Sequence, residues 1–164
     1  MTCGLEECME DPKTMSYNAG YAVNFDGYNK ETGCISFPKE KWEDWIATQL
    51  SDKNFFYAFI KDLQLNKFVG YVNFKKNPNT GYASMGIVIR DDFRGQGYMR
   101  PAMVQLIEKA KQHGVKYLTD NVPQNRTNAL NTFYSLGFEK IGECKLKKFD
   151  HEEIVAKIQK QIIL

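Results

Sequence analysis

The chain has 164 residues, 43% hydrophobic and 26% charged, with 22 Lys and Arg against 20 Asp and Glu and a net charge of +2. Such a length and mix suit one compact domain that buries a core without disulfides or metals, so residues 1–164 are expected to form a single domain. The near balance of charge speaks against a partner bound through bulk positive charge, such as nucleic acid, and no apolar run is long enough to span a bilayer.

The start, Met1 to Asp11, is acidic and lacks a continuous apolar stretch, so no secretory leader is expected. Cys3, Cys8, Cys34 and Cys144 are scattered without metal-finger spacing, and His113 and His151 are the only histidines. No zinc or other metal site is expected, and reduced thiols fit a cytoplasmic protein. Up to Phe37 the chain reads as irregular, with turns at Gly20, Gly27 and Gly33. Pro38 opens a predicted helix carrying Trp42, Trp45, Ile46 and Leu50 at helical spacing.

Asn54 to Lys61 reads as a strand, and Lys67 to Lys75 as a second, with Phe68, Val72 and Phe74 alternating about Gly70. Asn77-Pro78-Asn79-Thr80-Gly81 is a strong turn, and Tyr82 to Ile89 a third strand, which together predict an antiparallel meander. After a polar loop, Arg90 to Gly95, a helix runs to about His113 with Met103, Leu106, Ile107 and Ala110 on one face, closed by Gly114. A short strand (Val115 to Thr119), a helix (Asn128 to Leu136, stopped at Gly137) and another strand (Phe138 to Leu146) follow. In the tail, Ile154, Ile158 and Ile162 suit a helix, whereas Ile154, Ala156 and Ile158 suit a strand; a strand in hairpin with its predecessor is the preferred reading. A meander followed by alternating strands and helices predicts a mixed α/β (α+β) sheet with helices packed on it. The basic run Lys145 to Lys148 reads as a solvated strand edge rather than a phosphate site.

The loop before the long helix carries the chemistry: Arg94-Gly95-Gln96-Gly97-Tyr98-Met99-Arg100. Between a strand end and a helix N-terminus, backbone N–H groups lack partners, the helix dipole adds positive character, and glycines allow an anion to approach. Arg94 and Arg100 add charge-assisted donors. The stretch therefore reads as a pyrophosphate cradle or as a tight turn that needs its glycines. The run Gly-x4-Gly-Lys-Ser/Thr of a nucleotide P-loop is absent, and a dinucleotide fingerprint needs a third glycine and an early parallel sheet.

Here the sequence resembles the GNAT family of N-acetyltransferases. The family's coenzyme A signature, Gln/Arg-x-x-Gly-x-Gly/Ala, reads Arg94-x-x-Gly97-x-Met99, with Met99 departing from the small residue. The approach Ile87 to Phe93 is similar to the family's fourth strand and short loop. The stretch Asn125 to Phe138, ending Phe133-Tyr134-Ser135-Leu136-Gly137-Phe138, is similar to its second motif. The likeness covers about Asn54 to Leu146 and is loose before that.

The resemblance implies a mostly antiparallel twisted sheet of six or seven strands with helices on both faces. It implies acetyl-CoA as cosubstrate and direct attack by a primary amine of a small molecule, amino acid or peptide N-terminus. Ile87, Val88 and Ile89 would meet the pantetheine and acetyl carbonyl, with Ile87 polarising the carbonyl through its backbone. Residues 94–100 would hold the pyrophosphate, and Asn125, Asn128, Phe133 and Tyr134 would line the cofactor. The family's thiolate donor, a tyrosine four residues before Gly-Phe, falls on Phe133, which leaves Tyr134 as acid or no tyrosine at all. No carboxylate lies in Tyr82 to Ile89, where many relatives carry a glutamate; Asp120, Asp91 and Asp92 are the available bases, or a water relay serves. Met15, Tyr17, Asn18, Tyr21 and Tyr28 are candidates to line the acceptor pocket. A homodimer is left open, as is a non-catalytic acyl-CoA-binding module.

Overall fold

The computed structural model describes residues 3–36 and 38–163, so Phe37 lies outside the described residues. The stretch expected to be irregular contains two helices, α1 (Cys3–Met9) and α2 (Pro12–Met15), followed by a 3-10 turn over Ser16–Asn18. The signal for α2 is local: the Asp11 carboxylate accepts hydrogen bonds from the N–H groups of Lys13 and Thr14, and Pro12 takes the first helical position. After Pro38 a single 3-10 turn, Lys39–Lys41, precedes α3 (Trp42–Ser51).

Six strands follow the predicted order: β1 (Phe55–Asp62), β2 (Lys67–Lys76), β3 (Tyr82–Ile89), β4 (Tyr117–Pro123), β5 (Glu139–Lys148) and β6 (His151–Gln161). Between them lie α4 (Met99–Gln112) and α5 (Thr127–Ser135). The tail is the strand of a hairpin, and β4 begins two residues later than Val115, whose N–H donates at 2.9 Å to the Ala110 carbonyl at the end of α4. The sheet order is β1-β2-β3-β4-β6-β5, antiparallel throughout except where β3 meets β4.

Helices cover both faces. On one, Met103, Leu106 and Ala110 of α4 and Leu130 and Phe133 of α5 pack with Phe74, Met85, Leu118 and Ile158 of the strands. On the other, Cys8 of α1 packs with Tyr71 and Val88, joined by Tyr17 and Tyr57, and Trp45 of α3 stands edge-on to Tyr57 with centroids 5.3 Å apart. Burial raises the Cys8 thiol to a pKa of about 11, which keeps it protonated and unreactive.

The parallel ladder between β3 and β4 places the site. It has three pairs and ends at Ser84 opposite Thr119, although β3 continues to Ile89 and β4 to Pro123. Beyond it β3 stays on β2, β4 stays on β6, and the two strands splay apart.

Candidate active site

The backbone lining this opening follows from the register. The Arg90 N–H donates to the carbonyl of Val69, bracketing the Gly70–Ile89 pair, so Ile89 turns its own N–H and C=O away from β2. Bonds in an antiparallel ladder alternate, and the register between β2 and β3 is unbroken. Ile87 therefore points its N–H and C=O the same way, as does Ala83, whose carbonyl accepts from the Thr119 hydroxyl across to β4 at 3.2 Å. Ile87 and Ile89 thus present backbone groups to the opening between β3 and β4. Val88 differs: its carbonyl lies against Gly70 of β2 and its side chain is buried with Cys8 and Tyr71.

At the outer end of β3 the chain enters a 3-10 turn, Asp91–Phe93, and then the glycine loop. Gly95 and Gly97 have φ of +71° and +86°, and a Cβ built on either would meet no atom within 4 Å. Open space lies above both, as an anion needs. α4 begins without a side-chain cap, and the N–H groups of Met99 and Arg100 fall in its first turn, where no carbonyl of the helix can receive them. Met99 packs inward against the main core, which accounts for a large side chain at the position where the family favours a small one.

Arg94 is tied into the loop rather than held out from it. Its Nε donates to the Ile89 carbonyl (3.1 Å), one terminal nitrogen to Asp91 (3.2 Å) and the other to the Thr14 carbonyl (2.6 Å). Gln96 donates to the Asp92 carbonyl at 2.9 Å, and Arg90 holds the Asp92 carboxylate at 3.2 Å. Asp91 and Asp92 therefore brace the turn. The Tyr98 hydroxyl donates to Asp62 at 2.6 Å, a bond that raises the tyrosine pKa and lowers that of the carboxyl, behind the Leu65 N–H bond in the second case. Arg100 reaches Ser135 at 2.5 Å, which sets the C-terminal end of α5 beside the glycine loop.

On α5, Phe133 is 2% exposed and meets Phe138 edge-on at 5.3 Å, whereas Tyr134, one residue later, is 40% exposed. The helical phase thus puts the aromatic of the family position in the core and the adjacent tyrosine at the surface. Asn125 and Asn128 are exposed at the start of the same helix. His113 packs edge-on to Phe74 at the far end of α4, its carbonyl accepting from Lys76 at 2.7 Å.

Asp120 is the first residue of β4 beyond the last β3 pair. Burial raises its pKa to about 7, with opposition from the Asn121 N–H and from the charge of Arg126. Burial raises the pKa of Tyr17, the charges of Arg126 and Arg94 oppose that shift, and that of Asp120 adds to it. Of the other candidate acceptor-lining residues, Met15 is core, and Asn18 and Tyr28 are bonded within the opening segment. Trp42 is buried.

Sequence reasoning missed Thr14. It is fully buried; its hydroxyl donates to Asp11 (2.5 Å) and accepts the Asp91 N–H (3.0 Å), while its carbonyl takes Arg94. The capping signature at Asp11-Pro12 could have revealed the helix, but nothing local reveals its contact 77 residues away. Among the described residues there is no cluster of three or more His, Cys, Asp or Glu fit for a metal, and no helix is long and apolar enough to cross a membrane.

The sheet thus opens beside its one parallel pair, with a glycine turn and a helix start that has no side-chain cap at the end of β3. The sequence profile of the acetyltransferase (GNAT) family matches residues 23–138, and the chain belongs to that family and is an acetyltransferase. Comparison with curated proteins gives no match. Among solved structures, the chain is similar to a ribosomal-protein-alanine N-acetyltransferase from Brucella melitensis at 19% identity (98% of this chain, 96% of the other, TM-score 0.70). A GNAT-family acetyltransferase from Streptococcus pneumoniae shares 17% identity over 98% of this chain and 95% of its own, with TM-score 0.73. Spermidine N-acetyltransferase from Vibrio cholerae, in complex with CoA and spermine, shares 14% identity over 78% of each chain with TM-score 0.69. At these identities the likeness is one of fold.

Proposed function

We propose that this acetyltransferase moves the acetyl group of acetyl-CoA to a primary amine inside the opening between β3 and β4. The observation that carries the reading is that opening, with the inward-turned backbone of Ile87 and Ile89 continuous with the open glycine loop. The fit to acetyl-CoA rests on the empty space above Gly95 and Gly97 and on the uncapped first turn of α4. With Arg94 spent on the loop, the pyrophosphate is met by backbone N–H groups of residues 95–100, and Arg100 supplies the nearby charge.

Acetyl-CoA supplies the activated acetyl thioester. Ile87 polarises its carbonyl through a fixed N–H, a contribution whose loss costs about 3–4 kcal/mol in comparable oxyanion sites. Asp120 takes the proton from the attacking nitrogen, and a carboxyl poised near 7 suits that task. As the new C–N bond forms and the C–S bond breaks, the departing thiolate takes a proton; Tyr134 is the exposed phenol beside Ser135 and the loop. Asn125 and Asn128 supply amides near the pantetheine, while Phe133 supports the helix from within. The reaction takes place in one acetyltransferase domain in the cytoplasm.

Thermal-shift titration with acetyl-CoA, ATP and NAD in parallel, followed by thiol release with an amine panel, tests the reading. Ligand at a hundred times Kd adds about 2.7 kcal/mol, or roughly 5–10 °C for a domain of this size. Stabilisation by acetyl-CoA alone and thiol release with an amine are expected. Equal stabilisation by ATP, or binding without turnover of any amine, would sink it.

A further inference from the structure

A small cavity of about 180 Å³ has Asn125 and Arg126, at the start of the second motif, among its lining residues. Tyr17 forms one wall, Pro123, Asn125 and Arg126 another, and Lys148 and Glu153 close it from the β5–β6 hairpin. Its carboxylate is already taken: Glu153 accepts from the Tyr21 hydroxyl and pairs with Lys148 at 3.8 Å. Lys148 is taken too, donating to the Tyr17 carbonyl at 3.2 Å. Both side chains are nearly buried, at 16% and 11% exposure, so this wall is fixed and no longer offers a free negative charge.

Arg126 is the exception. Its guanidinium lies 5.0 Å from the centroid of the Tyr17 ring, and among the described residues no carboxylate comes within ion-pair distance of it. It is also the N-cap of α5, which puts a cation at the positive end of a helix dipole. A cation stacked on an aromatic ring, at a helix N-terminus and in a cavity whose only carboxylate is neutralised, is arranged to receive an anion. Pro123, three residues along β4 from Asp120, lines the same cavity, and its carbonyl accepts the Arg126 N–H at 3.0 Å, so Arg126 stands at the end of the strand that carries Asp120, whose carboxyl also feels its charge.

We propose that the acceptor is a small primary amine that also carries a carboxylate, as a free amino acid does. The carboxylate sits on the fork of Arg126 and the amine faces Asp120; this rests on the acetyl-transfer reading above. A polyamine, by contrast, would bring its extra positive charges against Arg126 and Lys148. A peptide N-terminus has no carboxylate next to its amine and would leave Arg126 unanswered.

The test compares the common L-amino acids with their α-amides and with spermidine, following thiol release from acetyl-CoA by the intact protein. At least one acid is expected to exceed its own amide by about tenfold or more in kcat/KM, the worth of one charge-assisted hydrogen bond. In R126Q that preference falls to near unity while stabilisation by acetyl-CoA persists, and R126K, which keeps charge without the fork, lies between. Should R126Q not fold, the acid-against-amide comparison in the unmodified protein decides alone. Turnover of spermidine or of the amides as good as that of every acid, no use of any acid, or a preference that survives in folded R126Q overturns the proposal. Loss of acetyl-CoA stabilisation in the unmodified protein would instead strike the acetyl-transfer reading itself.

Discussion

Arg94 donates from Nε to the carbonyl of Ile89 across 3.1 Å, folding the glycine loop back onto the end of the strand whose backbone lines the opening. The same guanidinium holds Asp91 and the Thr14 carbonyl, so one side chain ties loop, strand and α2 together. Replacing it with alanine leaves two carbonyls without their charged donor. Arg94→Ala is expected to lose about 1–3 kcal/mol, or roughly 3–10 °C in Tm, and to weaken acetyl-CoA binding through a loosened loop. Arg94→Lys keeps charge but cannot satisfy three acceptors in one plane, and falls between. Denaturation with an acetyl-CoA titration on each variant checks this; an unchanged Tm in the alanine variant would show that the cross-loop bonds hold nothing.

Thr14 makes the complementary contact from the other side. Its buried hydroxyl serves Asp11 and the Asp91 N–H together, and the bond to Thr14 is the largest reason the Asp11 carboxyl lies below its usual pKa. Thr14→Val preserves shape but leaves that N–H without its acceptor, at a cost of about 1–3 kcal/mol. The linked pH effect has a definite sign. A carboxyl with depressed folded pKa adds stability that is present above its unfolded value and lost as pH falls through the folded one. The unmodified protein should therefore lose more stability than T14V on acidification below pH ~4, measured by urea denaturation across that range.

What could be foreseen followed the range of the signal. β2, the turn at Asn77–Gly81, β3 and α4 were legible because alternation, turn chemistry and helical spacing act within a few residues, and β3 ends at Ile89 as expected. The tail was legible only as a choice, since isoleucines spaced by four satisfy both periods; pairing with β4 and β5 on its two sides settles it as β6. The opening between β3 and β4 left no trace in composition, because it is where a ladder stops after Ser84 and Thr119. Arg94 looked like a phosphate ligand because its partners Ile89 and Thr14 offer only main-chain carbonyls, which no sequence pattern advertises. Arg126 and Lys148 are brought to one cavity from positions 22 residues apart, by the return of the β5–β6 hairpin beside the end of β4.

The two loop glycines can be separated from ordinary left-handed glycines by an internal control. Gly97 at φ +86° and Gly114 at φ +65° both stand in open space, but they lie at opposite ends of α4. An alanine at either place carries a similar backbone cost of about 1–2 kcal/mol. Gly97→Ala and Gly114→Ala should thus lose comparable stability, whereas only Gly97→Ala should weaken acetyl-CoA binding, by roughly tenfold or more where its Cβ enters the phosphate's space. Gly97→Val adds a β-branch at positive φ, and its folding has to be confirmed before its binding is read. Equal loss of binding in both alanine variants would make the effect one of stability and remove the loop from the cofactor site.

Asp120 joins stability to activity with opposite signs. Its folded pKa of about 7 lies above the ordinary carboxyl value, because burial outweighs the Asn121 N–H and Arg126. The folded state therefore holds a proton that the unfolded chain gives up near pH ~4, and stability falls as pH rises from there to about 7. Above 7 the folded protein carries a half-buried carboxylate with a net penalty, and Asp120→Asn should be more stable than the unmodified protein at pH ~8, by roughly 1–3 kcal/mol. The same substitution removes the group that takes the amine proton, so kcat/KM should drop by about a hundredfold. The rising limb of the pH profile, centred near 7 in the unmodified protein, should vanish in D120N, leaving only the titration of the amine itself. The Asn121 N–H bonds this carboxyl at 2.8 Å and the Arg126 charge also lowers its pKa, so the limb should move up in R126Q, where the one opposing charge is gone. Denaturation at two pH values with pH–rate profiles of the three proteins checks both halves. A D120N variant with the same limb, or one less stable at pH ~8, would assign the proton to another acceptor.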